Sequence, residues 1–126
     1  RRTEEEYGRT LETADALVLL RKATTRARAA FPTRLPEFLA IGKPVITNDV
    51  PDVPQYLHDR EHAHVVPEGR PDLFADRLEE VFNNPEKQTD IGVAGNRRMQ
   101  ECFDSHTHGG RLSTFVRQMM RSAQQR

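Results

Sequence analysis

At 126 residues the chain has the size of one domain, and its 19 basic and 19 acidic side chains cancel to a formal net charge of zero. A broadly basic nucleic-acid-binding domain is thereby excluded. Hydrophobic residues make up 36% and aromatic residues 6%, enough for a modest core and more than disordered tracts carry. The longest unbroken apolar stretch, Ala16 to Leu20, falls far short of the ~20 residues a transmembrane helix needs.

Arg1 to Thr10 is almost wholly polar, so no signal peptide is read there, and cytoplasmic location is the default expectation. The single Cys102 cannot close an internal disulfide, which fits a reducing compartment. Because the chain opens on Arg1, without Met and directly inside a helical pattern, it is expected to be part of a longer protein.

Thr3-Glu4-Glu5-Glu6 has capping-box spacing, and Tyr7, Leu11 and Ala14 follow at i, i+4, i+7, which predicts a helix from Glu4 to Thr13. Ala16 to Leu20 reads as a short strand covered on both faces. After a basic loop, Arg34 to Ile41 reads as a helix ended by Gly42, and Pro44 to Thr47 as a second buried strand ending in Asn48-Asp49. Val53 to Leu57 fits one or two helical turns, and His64-Val65-Val66 a third strand closed by Pro67-Glu68-Gly69. From Pro71 an amphipathic helix carries Phe74, Leu78, Val81 and Phe82 and stops at Asn83-Asn84-Pro85. Two more helices are predicted, from about Gln88 to Phe103 and from about Gly110 to Ala123.

Alternating strands and helices imply a parallel sheet with right-handed crossovers, hence an α/β, doubly wound, Rossmann-like three-layer domain on a narrow sheet. Ligands of such sheets bind beyond the carboxyl ends of the strands, which directs attention to Arg21 to Thr33 and Asn48 to Pro54. Charge is concentrated in the first of these regions. Arg21 to Arg34 holds five bases and no acid, whereas Asp49 to Asp90 holds eleven acids against four bases. A solvated loop accounts for such a cluster, and so does a site for a small anion.

Phe31-Pro32-Thr33-Arg34-Leu35-Pro36-Glu37 lies where that loop becomes a helix. Thr33 suits the N-cap, and amides of Arg34 and Leu35 would face outward at the positive end of the helix dipole. The Arg34 guanidinium can add a charged fork to phosphate oxygens. One turn on, the Glu37 carboxylate can accept hydrogen bonds from two vicinal hydroxyls, such as those of a ribose. Phosphate at the helix end with hydroxyls one turn away describes a nucleoside diphosphate. A capping Thr, a surface Arg and a dipole-compensating Glu describe the same residues without a ligand.

The string from Phe31 to Ile46 resembles the donor-binding segment of retaining glycosyltransferases of the GT-B fold, the glycosyl transferases group 1 family. Ala14 to Leu19, Asn48 to Pro54, Val65 to Ala75 and Ile91 to Arg98 resemble the flanking stretches in the right order. The resemblance implies that residues 1–126 form the later part of a C-terminal, nucleotide-sugar-binding domain, with an acceptor-binding N-terminal domain as its missing partner. A helix at about 106–126 would pack on that N-terminal domain. It further implies that Glu37 holds the ribose, and that the backbone from Phe31 through Pro32 and Thr33 to Leu35 holds the diphosphate of a nucleoside-diphosphate sugar. No cofactor and no metal are expected. Many members carry a second Glu eight positions before the ribose-binding one, and Ala29 stands there. No catalytic residue is therefore assigned, and this chain alone is not expected to catalyse transfer. The alternative is a non-catalytic interaction or scaffolding domain derived from the same fold.

His58, His62 and His64 lie close in sequence, but the segment reads as loop then strand, which argues against convergence on a metal. His106 and His108 sit in a polar linker, Ser105 beside Asp104 makes no triad by adjacency, and Cys102 reads as a buried inert thiol. The apolar stripe of the last helix, with Phe115, Met119 and Met120, is read as core or as the face toward the missing domain.

Overall fold

The computed structural model describes residues 3–22, 24, 32, 34–50, 52–102 and 121, and the structural statements below concern these. The order of elements is α1 (Glu4–Thr13), β1 (Leu17–Leu19), α2 (Arg34–Ile41), β2 (Val45–Asn48), α3 (Val53–Tyr56), β3 (His64–Val66), α4 (Pro71–Asn83) and α5 (Pro85–Cys102). The helix predicted from about Gly110 and the linker before it fall, apart from Arg121, outside the described residues.

The α1 cap forms as its spacing predicts. Thr3 Oγ1 accepts the Glu6 N–H at 3.2 Å and Glu6 Oε2 accepts the Thr3 N–H at 3.0 Å. Helix α2 stops at Gly42, whose φ of +84° closes the helix in a region that L side chains rarely adopt. Pro85 ends α4 and at the same time opens α5, so α5 starts three residues before the predicted Gln88. Proline at a first helical position loses no intrahelical bond, and Asn84 Oδ1 accepts the Lys87 N–H at 3.4 Å.

The strands form one parallel sheet in the order β1-β2-β3, with Val18 beside Ile46 and Ile46 beside His64. Leu17, Leu19, Val45 and Val65 share the face that packs beneath α1, α2, α3 and α5, in a core with Leu11, Leu35, Phe38, Leu39, Val53 and Leu57. On the other face α4 lies over β3, and Ile46, His64 and Val66 are buried there. The expected double coverage of β1 is not met: Val18 is 42% and Leu20 47% exposed among the described residues. Phe82, placed by its spacing on the apolar stripe of α4, is likewise 65% exposed, while Val81 beside it takes the buried position.

Helix α5 crosses the amino ends of β2 and β3 and locks them. A Cβ on Gly92 would collide with the Gly42 carbonyl, and one on Gly95 with the His62 carbonyl and Leu39. With the backbones this close, Asn96 Nδ2 donates to the Ala40 oxygen at 2.9 Å and the Leu39 oxygen at 3.3 Å, satisfying last-turn carbonyls of α2. Arg98 Nε donates to the Tyr56 oxygen at 2.7 Å, at the end of α3.

A buried polar network joins β3 to α4 and α5. His64 is fully buried; Arg77 Nη1 lies 3.2 Å from its Nδ1, and Gln88 Oε1 lies 2.7 Å from its Nε2. A guanidinium only donates, so Nδ1 accepts and the ring carries its proton on Nε2, toward Gln88. Arg77 also forks onto Asp59 at 2.9 and 2.7 Å, and Asp59 Oδ1 accepts the Val65 N–H at 2.9 Å. Partial burial pushes the Asp59 carboxyl up, but hydrogen bonds from Arg77 and the Val65 amide, with the Arg77 and Arg60 charges, outweigh it and hold the group below its ordinary value.

Gly95→Ala should therefore destabilise the fold by about 1–3 kcal/mol, as overpacking against backbone does. Gly8→Ala, whose Cβ would meet nothing within 4 Å, should stabilise it by about 0.5–1 kcal/mol. Urea midpoints of the two variants check both signs. A folded-state pKa below the unfolded one gives a contribution that is complete above the unfolded carboxylate value and fades as pH falls through the lowered one. Asp59→Asn should accordingly flatten the acid limb of a stability profile recorded from neutral to acid pH, and a parallel loss of stability in both proteins would remove Asp59 as its source.

Candidate functional site

The carboxyl ends of the three strands are tied to one another by side chains of β2 and the loop after it. Asn48 Oδ1 accepts the Arg21 N–H at 3.0 Å and Asn48 Nδ2 donates back to the Arg21 oxygen, which fixes the exit from β1. Asp49 N–H donates to the Val66 oxygen at 2.9 Å, and Asp49 Oδ1 accepts the Glu68 N–H at 2.8 Å, which fixes the exit from β3. Beside this brace lies a cavity of about 390 Å³ with Leu20, Val66 and Phe74 among its walls and Arg21, Lys22 and Arg70 around it. Arg70 is engaged with Asp72, whose carboxyl is held down to about 2, chiefly by the Arg70 hydrogen bond.

Helix α2 begins at the same end of the sheet, since it follows β1 through the basic loop. Arg34 and Glu37 are exposed on its first turn, and neither is bonded to another described side chain. The other predicted residues divide differently. Pro32 is buried, and Leu35 is fully buried in the core. Phe31 and Thr33, with Ala29, lie outside the described residues. The expectation of an outward-facing Leu35 amide is not met, because that N–H donates to the Pro32 oxygen at 3.2 Å. Pro36 has no N–H to offer. Among the first three positions of α2, then, Arg34 alone has an amide with no partner among the described residues.

The histidines separate into two environments. His64 belongs to the buried network described above. His58 and His62 meet across a turn, their ring centroids 5.3 Å apart, with Glu61 beside both. The expectation that they diverge for want of a shared helix fails, since a turn brings i and i+4 together as well as a helix does. Partial burial pushes the His62 imidazole below its ordinary value; the charges of Arg98 and His58 add to this and Glu61 opposes it. Cys102 is half-buried at the end of α5, not sealed in the core. Asp104, Ser105, His106, His108, Phe115, Met119 and Met120 lie outside the described residues.

Asn48 and Asp49 fall in the stretch to which the sequence pointed, but their bracing bonds, like those of Asn96 and Arg98 at the amino ends of the strands, were not read from it. The one local signal for the α5 contacts was the pair Gly92 and Gly95, small residues three apart on one helical face.

Comparison with known proteins places this geometry. The solved structure of sucrose-phosphate synthase from Thermosynechococcus elongatus matches with a TM-score of 0.79 at 19% sequence identity, over 96% of this chain and 29% of that one. The likeness is one of fold: a Rossmann-like fragment of a GT-B architecture. The chain spans under a third of that protein's length. No curated protein sequence matches the chain. The sequence pattern of the family described as Glycosyl transferases group 1 matches residues 1–98, which include every described strand, the α2 segment with Arg34 and Glu37, and most of α5. The chain therefore belongs to the glycosyl transferases group 1 family.

Proposed function

We propose that this chain is the later part of the donor-binding C-terminal domain of a retaining glycosyltransferase. It binds a nucleoside-diphosphate sugar, and the sugar passes to an acceptor with retention when the N-terminal domain of the fold completes the cleft. The observation that carries this reading is the exposed pair Arg34 and Glu37 on the first turn of α2, unbonded to other described side chains and set at the carboxyl end of the sheet. Family membership supplies the chemical class of the ligand.

In this reading Glu37 accepts hydrogen bonds from the ribose hydroxyls, while Arg34 and its amide face the diphosphate. The resemblance adds Phe31, Pro32 and Thr33 to the residues that would contact the diphosphate and the transferred sugar. Leu35 contributes from beneath, its side chain anchoring the turn in the core and its amide closing onto Pro32. The chemical share of these groups is positioning and stabilisation of charge on the departing diphosphate.

A second reading, a non-catalytic domain that keeps the fold, draws support from two features. Ala29 stands where many members carry a carboxylate, and of the two amides expected to face outward at the start of α2, that of Leu35 is closed onto the Pro32 oxygen.

Titration with UDP, GDP and ADP by calorimetry separates the readings. One diphosphate should bind, and Glu37→Ala should weaken it by about 1.5–3 kcal/mol, the range for hydrogen bonds to a charged group. Affinity unchanged by Glu37→Ala overturns the ribose assignment, and absence of binding to the folded chain and to its full-length parent favours the non-catalytic domain.

A further inference from the structure

We propose that the turn from His58 to His62 is a binding site for a divalent transition metal of the Zn²⁺ type, with His58, Glu61 and His62 as its protein ligands. The site is separate from α2 and does not depend on the donor-binding reading. One ligand atom from each of the three residues lies within 4.8 Å of the other two. The Glu61 carboxylate stands between the rings, with Oε2 at 3.2 Å from His58 Nδ1 and Oε1 at 3.6 Å from His62 Nε2. Donors around a tetrahedral Zn²⁺ stand about 3.3 Å apart, given metal–nitrogen bonds of ~2.0–2.1 Å, so small side-chain rotations bring all three into range.

The backbone needs no change, because the turn is held from behind. The Glu61 and His62 N–H groups both donate to the His58 oxygen, at 3.2 and 3.1 Å, and the Arg60 N–H donates to the Ala63 oxygen at 2.8 Å. Arg60 takes the left-handed conformation at φ 63° that this path requires, and its guanidinium pairs with Glu80 at 2.6 Å. Asp59 is fixed by Arg77 and the Val65 amide. In front of the turn, a cavity of about 360 Å³ toward α5 leaves room for water to complete the coordination. Two cations, Arg97 and Arg98, line the same cavity, and Arg98 is drawn off to the Tyr56 oxygen and to Glu101.

The ligand set chooses the metal. Two imidazoles and one carboxylate suit Zn²⁺, Ni²⁺ or Cu²⁺, whereas Mg²⁺ and Ca²⁺ demand oxygen. The hydrogen bonds also fix what binding must do to the rings. Without metal, His62 Nδ1 accepts the His58 N–H at 3.0 Å, so its proton sits on Nε2, and His58 holds its proton on Nδ1 toward Glu61. When the metal takes His58 Nδ1 and His62 Nε2, each ring proton moves through water to the other nitrogen, and as the His62 ring rotates away the exposed His58 N–H exchanges its acceptor for water. The two rings therefore switch tautomer in opposite senses, and neither loses a proton overall.

The test is Zn²⁺ titration of the 126-residue chain in a His106→Ala/His108→Ala background, followed by calorimetry and by ¹⁵N NMR of the imidazoles. Zn²⁺ should bind, Mg²⁺ should not, and the opposite tautomer switches should appear at His58 and His62. His58→Ala and His62→Ala should each weaken Zn²⁺ by about tenfold or more while circular dichroism stays that of the folded chain. Zn²⁺ affinity unchanged in both variants, binding without the tautomer switches, or no binding to the folded chain overturns the site.

Discussion

Two glycines on one face of α5 set the distance on which the rest of the structure depends. Gly92 and Gly95 let the helix rest directly on the carbonyls of Gly42 and His62, closer than any side chain permits. At that separation Asn96 reaches the last turn of α2 and Arg98 reaches the end of α3. Lifting the helix by the width of a methyl group would strand both donors and the carbonyls they satisfy. The three strands are only three or four residues long, so their ladder alone offers few hydrogen bonds. The amino ends of β2 and β3 are held by the α5 seam, the carboxyl ends of all three strands by Asn48 and Asp49, and β3 additionally by the network of His64, Gln88, Arg77 and Asp59.

This arrangement frees α2 to face two ways. Leu35, Phe38 and Leu39 turn inward and are buried, while Arg34 and Glu37 stay outside on the first turn. Charged side chains that support no packing and no ion pair among the described residues contribute little to stability, so their position on the surface is open to use by a ligand. Pro36 and Leu35 limit what the backbone adds. One has no amide and the other returns its amide to the Pro32 oxygen, so in the proposed reading anion recognition falls chiefly on the Arg34 side chain.

Local patterns carried much of the fold into view. The capping box at Thr3, Gly42 as a helix stop, and the apolar triplet at His64 to Val66 each depend on a few neighbouring residues, and each element stands where those residues put it. Long-range contacts were not legible. Phe82 has the right spacing for a buried stripe, yet α4 meets the sheet along β3 and turns Val81 inward instead. Val18 and Leu20 belong to an apolar run that suits a strand covered twice, and coverage is a property of the elements around it. For the candidate site, Arg34 and Glu37 were legible because helix-start chemistry is local. The Leu35 amide was not, because its fate turns on the path of the chain at Pro32. His58 and His62 were misjudged for a related reason: convergence was tied to a helix, whereas a left-handed Arg60 folds the turn back and brings the rings together.

The division between the two ends of the sheet has a physical basis. Parallel strands leave their amino ends to be joined by helix C-termini and by turns, whose carbonyls need donors, and α5 supplies Asn96 and Arg98 for that purpose. The carboxyl ends meet helix N-termini, where amides and positive charge gather, and here Asn48 and Asp49 offer oxygen acceptors to the Arg21 and Glu68 amides, Asn48 also donating to the Arg21 oxygen. Because that brace uses β2 and the residue after it, the exit from β1 is held at Arg21 from the middle of the sheet. With the α5 seam at one end of the sheet and the Asn48–Asp49 brace at the other, the two ends are held by separate contacts, which is the condition under which one α/β scaffold serves many different ligands.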